Sequence, residues 1–273
     1  MSDITEKHED APTLRQIQTA ESVLLPISKD TFEKLYLTPK HPAVAGDIRK
    51  KVGNPTPISL LGFLVAATPN AFITMGWRGA GEKGAAILPA FIFFGGFVQI
   101  LGGIGEWIIG NTFTCAIFFT YGTFWIVQGT SLMPFFATGL LYSETGNAME
   151  GMTSPGYNAT VGFYFVALTI LTFVYLICSI RTNICLCGAL FLLVITLGLF
   201  SGTYFQLALG EAALAHRLQY AAGAFNLALC IPIWHIFIAQ ILDAVDFPFA
   251  VPVGDLSTVI PGRSQRVRRD NQV

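Results

Sequence analysis

From residue 53 onward the chain is a succession of long apolar runs separated by short polar breaks. Six runs stand out, at 58–77, 84–109, 112–142, 159–180, 184–209 and 218–242. A helix that crosses the hydrocarbon of a bilayer needs about 20 mostly apolar residues. The pattern therefore predicts an all-α integral membrane protein, a bundle of six transmembrane helices over residues 53–245. Polar segments flank it at 1–52 and 246–273. The third run is too long for one straight span, and Met133-Pro134 is expected to kink or end it, because proline removes a ladder donor.

Composition agrees with this reading. Hydrophobic residues make up 53% of the chain and charged residues 12%, against about 25% charged in an ordinary soluble domain. The charges crowd 1–51 and 243–270; between them stand only Arg78, Glu82, Lys83, Glu106, Glu144, Glu150, Arg181, Glu211 and Arg217, each at or near a break. The net charge of -1 gives nucleic acid no basis as a partner. The cysteines 115, 178, 185, 187 and 230 fall in or beside apolar runs and form no C-x-x-C pair, so they read as free thiols rather than as a disulfide or metal set. No apolar signal segment occurs in the first 50 residues, which leaves the first span to act as its own insertion signal.

An even number of spans puts both tails on one side. With that side cytoplasmic, the inside carries Arg49, Lys50, Lys51, Arg181, Arg263, Arg266, Arg268 and Arg269, and the outside Arg78, Lys83 and Arg217. The excess predicts cytoplasmic termini in what is read as the plasma membrane. The longest loop, about 143–158, then faces outward and ends in the glycosylation sequon Asn158-Ala159-Thr160, close to the membrane. Phe32, Leu35 and Tyr36 suit either a short amphipathic surface helix or disorder. The stretch 254–273 reads as a disordered basic tail suited to anionic lipid.

Candidate chemistry is sparse. The four histidines form no H-x-x-x-H pair, and no nucleophile elbow, phosphate loop or intramembrane carboxylate pair occurs. By the checklist for an active site this is not an enzyme, and no cofactor or metal is expected. Span two holds Gly95, Gly96, Gly102, Gly103 and Gly105, which suit a tightly packed central helix, an oligomer contact or a narrow pore wall. Asn54-Pro55-Thr56-Pro57 opens span one as a helix start, or as a polar face toward a solute. Glu106, near the end of span two beside Trp107, is either a carboxylate reaching the interface or a functional group at membrane depth. Asn111 and Thr112 are good caps for span three. Gln99, Thr120, Tyr121, Thr123, Gln128 and Ser131 are neutral polar groups within spans, and His235 is a lone histidine in span six. An interior this poor in charge suits a small, weakly ionising solute, since burying a bare ion is costly.

These blocks resemble the acetate uptake transporter family, the succinate–acetate permeases of bacteria and the acetate permeases of fungi. Asn54-Pro55-Thr56-Pro57-Ile58-Ser59-Leu60 is similar to the family's N-P-A-P-L-G-L signature. The segment from Phe94-Gly95-Gly96 through Gln99 and Gly102 to Glu106 resembles its glycine–glutamine–glutamate stretch. The block from Gly110-Asn111-Thr112-Phe113 to Thr120-Tyr121-Gly122-Thr123-Phe124-Trp125 is the most specific match. Thr56 replaces alanine, Ile58-Ser59 replaces leucine–glycine, Ile108-Ile109 stand where lysines are common, and Pro232 and His235 lie outside the pattern.

The resemblance implies a six-span protomer, a homohexamer with a pore in each subunit, and passage of acetate and other small monocarboxylates by proton symport or as a channel. It also implies a constriction of Phe63, Tyr121 and Leu193, with Leu192 or Leu190 as substitutes for the last. Asn54, Gln99, Glu106, Asn111 and Thr112 complete the expected substrate pathway. Spans one to three and one residue of span five would surround the route, with the other spans serving packing and assembly. An ammonia or ammonium exporter and a non-transporting membrane sensor are the alternatives.

Overall fold

The computed structural model describes residues 52–256 and 259. The amphipathic segment at Phe32–Tyr36 and the basic residues on either side of the described region lie outside it. Within it the regular structure is helical, apart from one isolated antiparallel bridge between Asn183 and Asp255. We number the helices α1 (Thr56–Thr74), α2 (Leu88–Ala90), α3 (Gln99–Ile108), α4 (Thr112–Ser131), α5 (Ala148–Gly151), α6 (Pro155–Ser179), α7 (Ile184–Ala208) and α8 (Ala212–Ala244). A π-helical segment, Phe91–Val98, joins α2 to α3. The protein is an all-α, multi-pass integral membrane protein.

Five helical segments among the described residues are long and apolar enough to cross a membrane: α1, the segment Glu82–Ile108, α6, α7 and α8. Helix α4 has the length, 20 residues, but Thr112, Thr114, Thr120, Thr123, Gln128 and Thr130 dilute its hydrophobicity. Its end agrees with the proline argument, since the helix stops at Ser131, just before Met133-Pro134. The loop that follows is longer than expected and starts earlier, running from Leu132 to Ser154. Helix α6 then begins at Pro155 rather than at 159: Ser154 accepts from the Tyr157 N–H at 3.2 Å, and proline fits the first turn of a helix, where no donor is missed. Asn158 therefore sits in a helical first turn with 3% of its surface exposed, and its amide donates to the Ser154 carbonyl at 2.9 Å. A glycan at this sequon would have to unpack that amide.

Helix α8 is 33 residues long, against 25 in the expected run. At 1.5 Å per residue that is about 50 Å, well beyond the roughly 30 Å of hydrocarbon. Pro232 lies within it and Pro69 within α1. Span two packs through its glycines inside the protomer. A Cβ on Gly95 would lie 2.5 Å from the Trp125 ring, one on Gly102 2.8 Å from the Ser59 nitrogen, and one on Gly105 2.5 Å from Pro55. Small residues thus let span two touch both α1 and α4 at backbone distance.

The segment after α8 returns to the bundle. Ile184 N–H donates to the Gly254 carbonyl at 2.8 Å, Leu256 N–H donates to the Thr182 carbonyl at 2.9 Å, and His235 Nε2 stands 2.8 Å from the Pro252 carbonyl. Val253 is 5% exposed and belongs to the same buried apolar cluster as Leu186, Ile233 and Ile236. Residues 254–256, expected to be disordered, are therefore tied down by backbone pairing across the loop between α6 and α7. A Gly at 254 is needed for this: its φ is 73°, and Ile184 leaves no room for a side chain.

Candidate functional site

Three cavities lie end to end between the helices and share walls. The first, about 40 Å³, is bordered by Leu60, Phe63, Gln99, Thr114 and Tyr121, by Leu190 and Leu193, and by Leu229 and Ile233. The second, about 30 Å³, is bordered by Phe63, Asn70, Tyr121, Trp125, Leu193, Thr196 and Asn226. The third is a vestibule of about 330 Å³ that shares Asn70, Phe124 and Phe200 with the second. Each of the two inner cavities has room for a solute of a few heavy atoms. No charged residue borders either of them.

Phe63, Tyr121 and Leu193 are the three residues common to the two inner cavities. They come from α1, α4 and α7, so the boundary between the two cavities forms only where three helices meet. Leu190 borders the first cavity alone, and Leu192 neither. Tyr121 is held in place from a fourth helix: its hydroxyl lies 2.9 Å from Thr172 Oγ1 in α6. Thr172 is fully buried and donates to the Leu168 carbonyl at 2.7 Å, so its own hydroxyl is oriented by the helix it sits on. That leaves Tyr121 to donate to Thr172. Beside it Tyr175 meets the Tyr121 ring edge-on, with centroids 6.5 Å apart, and bonds Thr120 at 3.0 Å.

Two residues that border these cavities each carry a buried polar atom with no hydrogen-bond partner among the described residues: Gln99 Oε1 and Trp125 Nε1. Gln99 is 1% exposed and belongs to the first cavity; Trp125 is 3% exposed and belongs to the second. Leaving such groups unpaired in a dry interior is costly, and an indole N–H is a donor only. One unpaired acceptor thus belongs to a residue of the first cavity and one unpaired donor to a residue of the second.

The other expected pathway residues have a different surrounding. Glu106 is fully buried; it does not reach the interface. Its carboxylate accepts from Asn111 Nδ2 at 2.5 Å and from the Thr56 hydroxyl, while Asn111 N–H donates to the Glu106 carbonyl at 2.8 Å. Asn54 is exposed and accepts from Thr56 N–H at 3.0 Å, as a helix-start side chain does. Thr112 is exposed at the start of α4. None of Asn54, Glu106, Asn111 and Thr112 borders the three cavities.

Sequence reasoning passed over Asn70, Thr114, Trp125, Thr196 and Asn226, which do border them. A lone Asn in an apolar run was the available signal at 70 and 226. The cavities also draw on α7 and α8: α7 borders all three, and α8 supplies Asn226, Leu229 and Ile233.

The chain and its fold are similar to known proteins. The profile of the GPR1/FUN34/yaaH family matches residues 37–258. The chain belongs to that family. Protein alcS of Aspergillus fumigatus is 38% identical over 232 residues, 85% of each chain. Acetate permease A of Emericella nidulans is 28% identical over 265 residues, covering 95% of this chain and 82% of the permease. Ammonia transport outward protein 3 of Saccharomyces cerevisiae is 30% identical over 175 residues, 64% of this chain and 57% of that protein. Among solved structures, the bacterial acetate channel SatP superposes with a TM-score of 0.59 at 25% identity, covering 74% of this chain and 99% of the channel.

Proposed function

We propose that this family member carries acetate and similar small monocarboxylates across a membrane through the line of three cavities. The observation that carries the reading is the narrowing of Phe63, Tyr121 and Leu193 between two uncharged cavities. Apolar side chains at a narrowing disfavour a hydrated ion. A protonated acid offers one O–H and one C=O. An O–H complements the Gln99 side-chain oxygen beside the first cavity and a C=O complements the Trp125 indole beside the second, so a neutral carboxylic acid suits each in turn along the route. This favours proton-coupled or neutral-acid passage. The related permease and channel bear acetate in their names.

An ammonia exporter has a named relative as well, but a cation path would favour a carboxylate, and among the described residues none borders the two inner cavities. Phe63, Gln99, Tyr121 and Leu193 then line the route, while Asn54, Glu106, Asn111 and Thr112 brace the end at which α1, α3 and α4 meet.

We further infer six crossings. Helix α4 supports this by bordering the first cavity with Thr114, the second with Trp125 and the vestibule with Gln128, as α1 and α7 do along their lengths. Cytoplasmic termini, a plasma-membrane location and a homohexamer complete the proposal, resting on the charge distribution and the family resemblance.

Labelled acetate uptake into proteoliposomes, with and without an inward proton gradient, tests it. Uptake faster than in protein-free vesicles and stimulated by the gradient is expected. Release of ammonia without acetate uptake would remove the reading. Phe63→Ala is expected to speed passage of butyrate relative to acetate several-fold, as a pocket residue that excludes bulk would. An unchanged ratio takes Phe63 out of the narrowing.

A further inference from the structure

The turn that enters span two has an unusual backbone. Glu82, Lys83 and Gly84 follow one another with φ of 51°, 53° and 83°. Side chains beyond glycine rarely adopt this left-handed region, and a run of it persists only where the surroundings hold it. Here they do. Gly84 is buried with the Phe91 ring 2.8 Å from the place of its missing Cβ, and its N–H donates to the Gly81 carbonyl at 3.0 Å. The held turn makes Gly81, Glu82 and Lys83 part of the vestibule wall.

Glu82 and Lys83 are the only charged residues among those that border the vestibule; Asn70, Thr74, Gln128 and Gln219 are neutral hydrogen-bonding groups. Among the described residues, none that borders the cavities beyond is charged. An anion that reaches the narrowing has therefore met its last countercharge in the vestibule.

We propose that the vestibule is a carboxylate-binding site whose countercharge is the Lys83 ammonium, with Glu82 opposing it and so limiting the site to a single carboxylate. The inference rests on the transport reading and adds where the anionic form is collected. One ammonium beside one carboxylate matches a monocarboxylate, because a second negative group on the solute would meet Glu82. The neutral amides and hydroxyls complete the hydrogen bonding of the bound carboxylate.

The test compares Lys83→Gln, Lys83→Arg and Glu82→Gln in proteoliposomes at low and high salt. Lys83→Gln is expected to raise the half-saturating acetate concentration roughly three- to five-fold at low salt, the scale of an exposed ion pair. The maximal rate should stay unchanged, and the difference should shrink at high salt. Lys83→Arg should restore it, and Glu82→Gln should shift it the opposite way. Equal values for Lys83→Gln and the wild type at low salt overturn the proposal. So do shifts of the same sign from Lys83→Gln and Glu82→Gln, since only a disturbed turn predicts them.

A second measurement does not depend on transport: acylation of Lys83 by an amine-reactive reagent, read by mass spectrometry. Sodium acetate is expected to slow it more than equal sodium chloride. If the wild type moves no acetate while this protection is seen, the transport reading fails and the site stands. Equal rates in the two salts overturn the site.

Discussion

Thr56 and Ser59, two of the departures from the family signature, each carry a hydrogen bond to span two. The Thr56 hydroxyl donates to the Glu106 carboxylate, and Ser59 Oγ donates to the Gln99 carbonyl at 2.7 Å. Position 59 also faces Gly102, so a small side chain there is required by packing. Tyr121 borders both inner cavities, and its hydrogen-bond partner Thr172 offers a clean measurement. Thr172→Val keeps the shape and removes the partner, leaving a buried phenol hydroxyl unpaired. A loss of about 1–2 kcal/mol is expected in detergent unfolding. Tyr121→Phe added to it should recover part of that loss, because no orphan then remains, and the coupling of the two changes should exceed about 0.5 kcal/mol. Additive losses would separate the two hydroxyls energetically.

At the scale of an element, span two is set by its glycines rather than by its hydrophobicity. Gly102→Ala would put a methyl within 2.8 Å of the Ser59 nitrogen, which is backbone and does not turn away. A cost of about 1–3 kcal/mol is expected in the same unfolding assay. Gly53→Ala meets nothing within 4 Å and should show none of that packing cost.

The loop ahead of α6 is an element of another kind, built from polar contacts. Ser143 Oγ donates to Glu150 at 2.8 Å, and the Thr145 hydroxyl donates to the same carboxylate. These bonds, first Thr145 and then Ser143, hold the Glu150 carboxyl below its ordinary range. A depressed folded value means that the carboxylate's contribution to loop order is complete above the ordinary carboxylate range and is lost as pH falls through the depressed value. Amide hydrogen exchange at Thr145 and Asn147, corrected for intrinsic rates, should therefore be constant around neutrality and loosen only in acid. In Glu150→Gln the acid-dependent step should vanish.

For the molecule as a whole, the last described segment ties two loops and two helices together. The Asn183–Asp255 bridge, the His235–Pro252 contact and buried Val253 join the loop between α6 and α7 to the end of α8. Val253→Asp places a charge among Leu186, Ile233 and Ile236. It should cost at least about 2 kcal/mol, since a buried charge without a partner is expensive. The readout is a fall in the yield of monodisperse protein in detergent. An unaffected yield would mean that the segment contributes nothing to the assembled bundle.

The amino-acid sequence by itself determined the membrane class, the helical content, the ends of most spans and the family. Each of these follows from local properties: runs of about 20 apolar residues, prolines that stop a helix, and short motifs read in order. The family resemblance singled out Phe63 and Tyr121, which border both inner cavities. Tertiary structure decided what the polar residues do. Glu106 and Asn111 bond each other and Thr56, whereas Gln99 and Trp125 remain unpaired beside the path. No spacing along the chain distinguishes the two cases, because the distinction is whether a partner from another helix stands within 3 Å. The same holds for the narrowing. Leu193, Leu192 and Leu190 are chemically alike, and only the meeting of α1, α4 and α7 sets Leu193 between the two inner cavities.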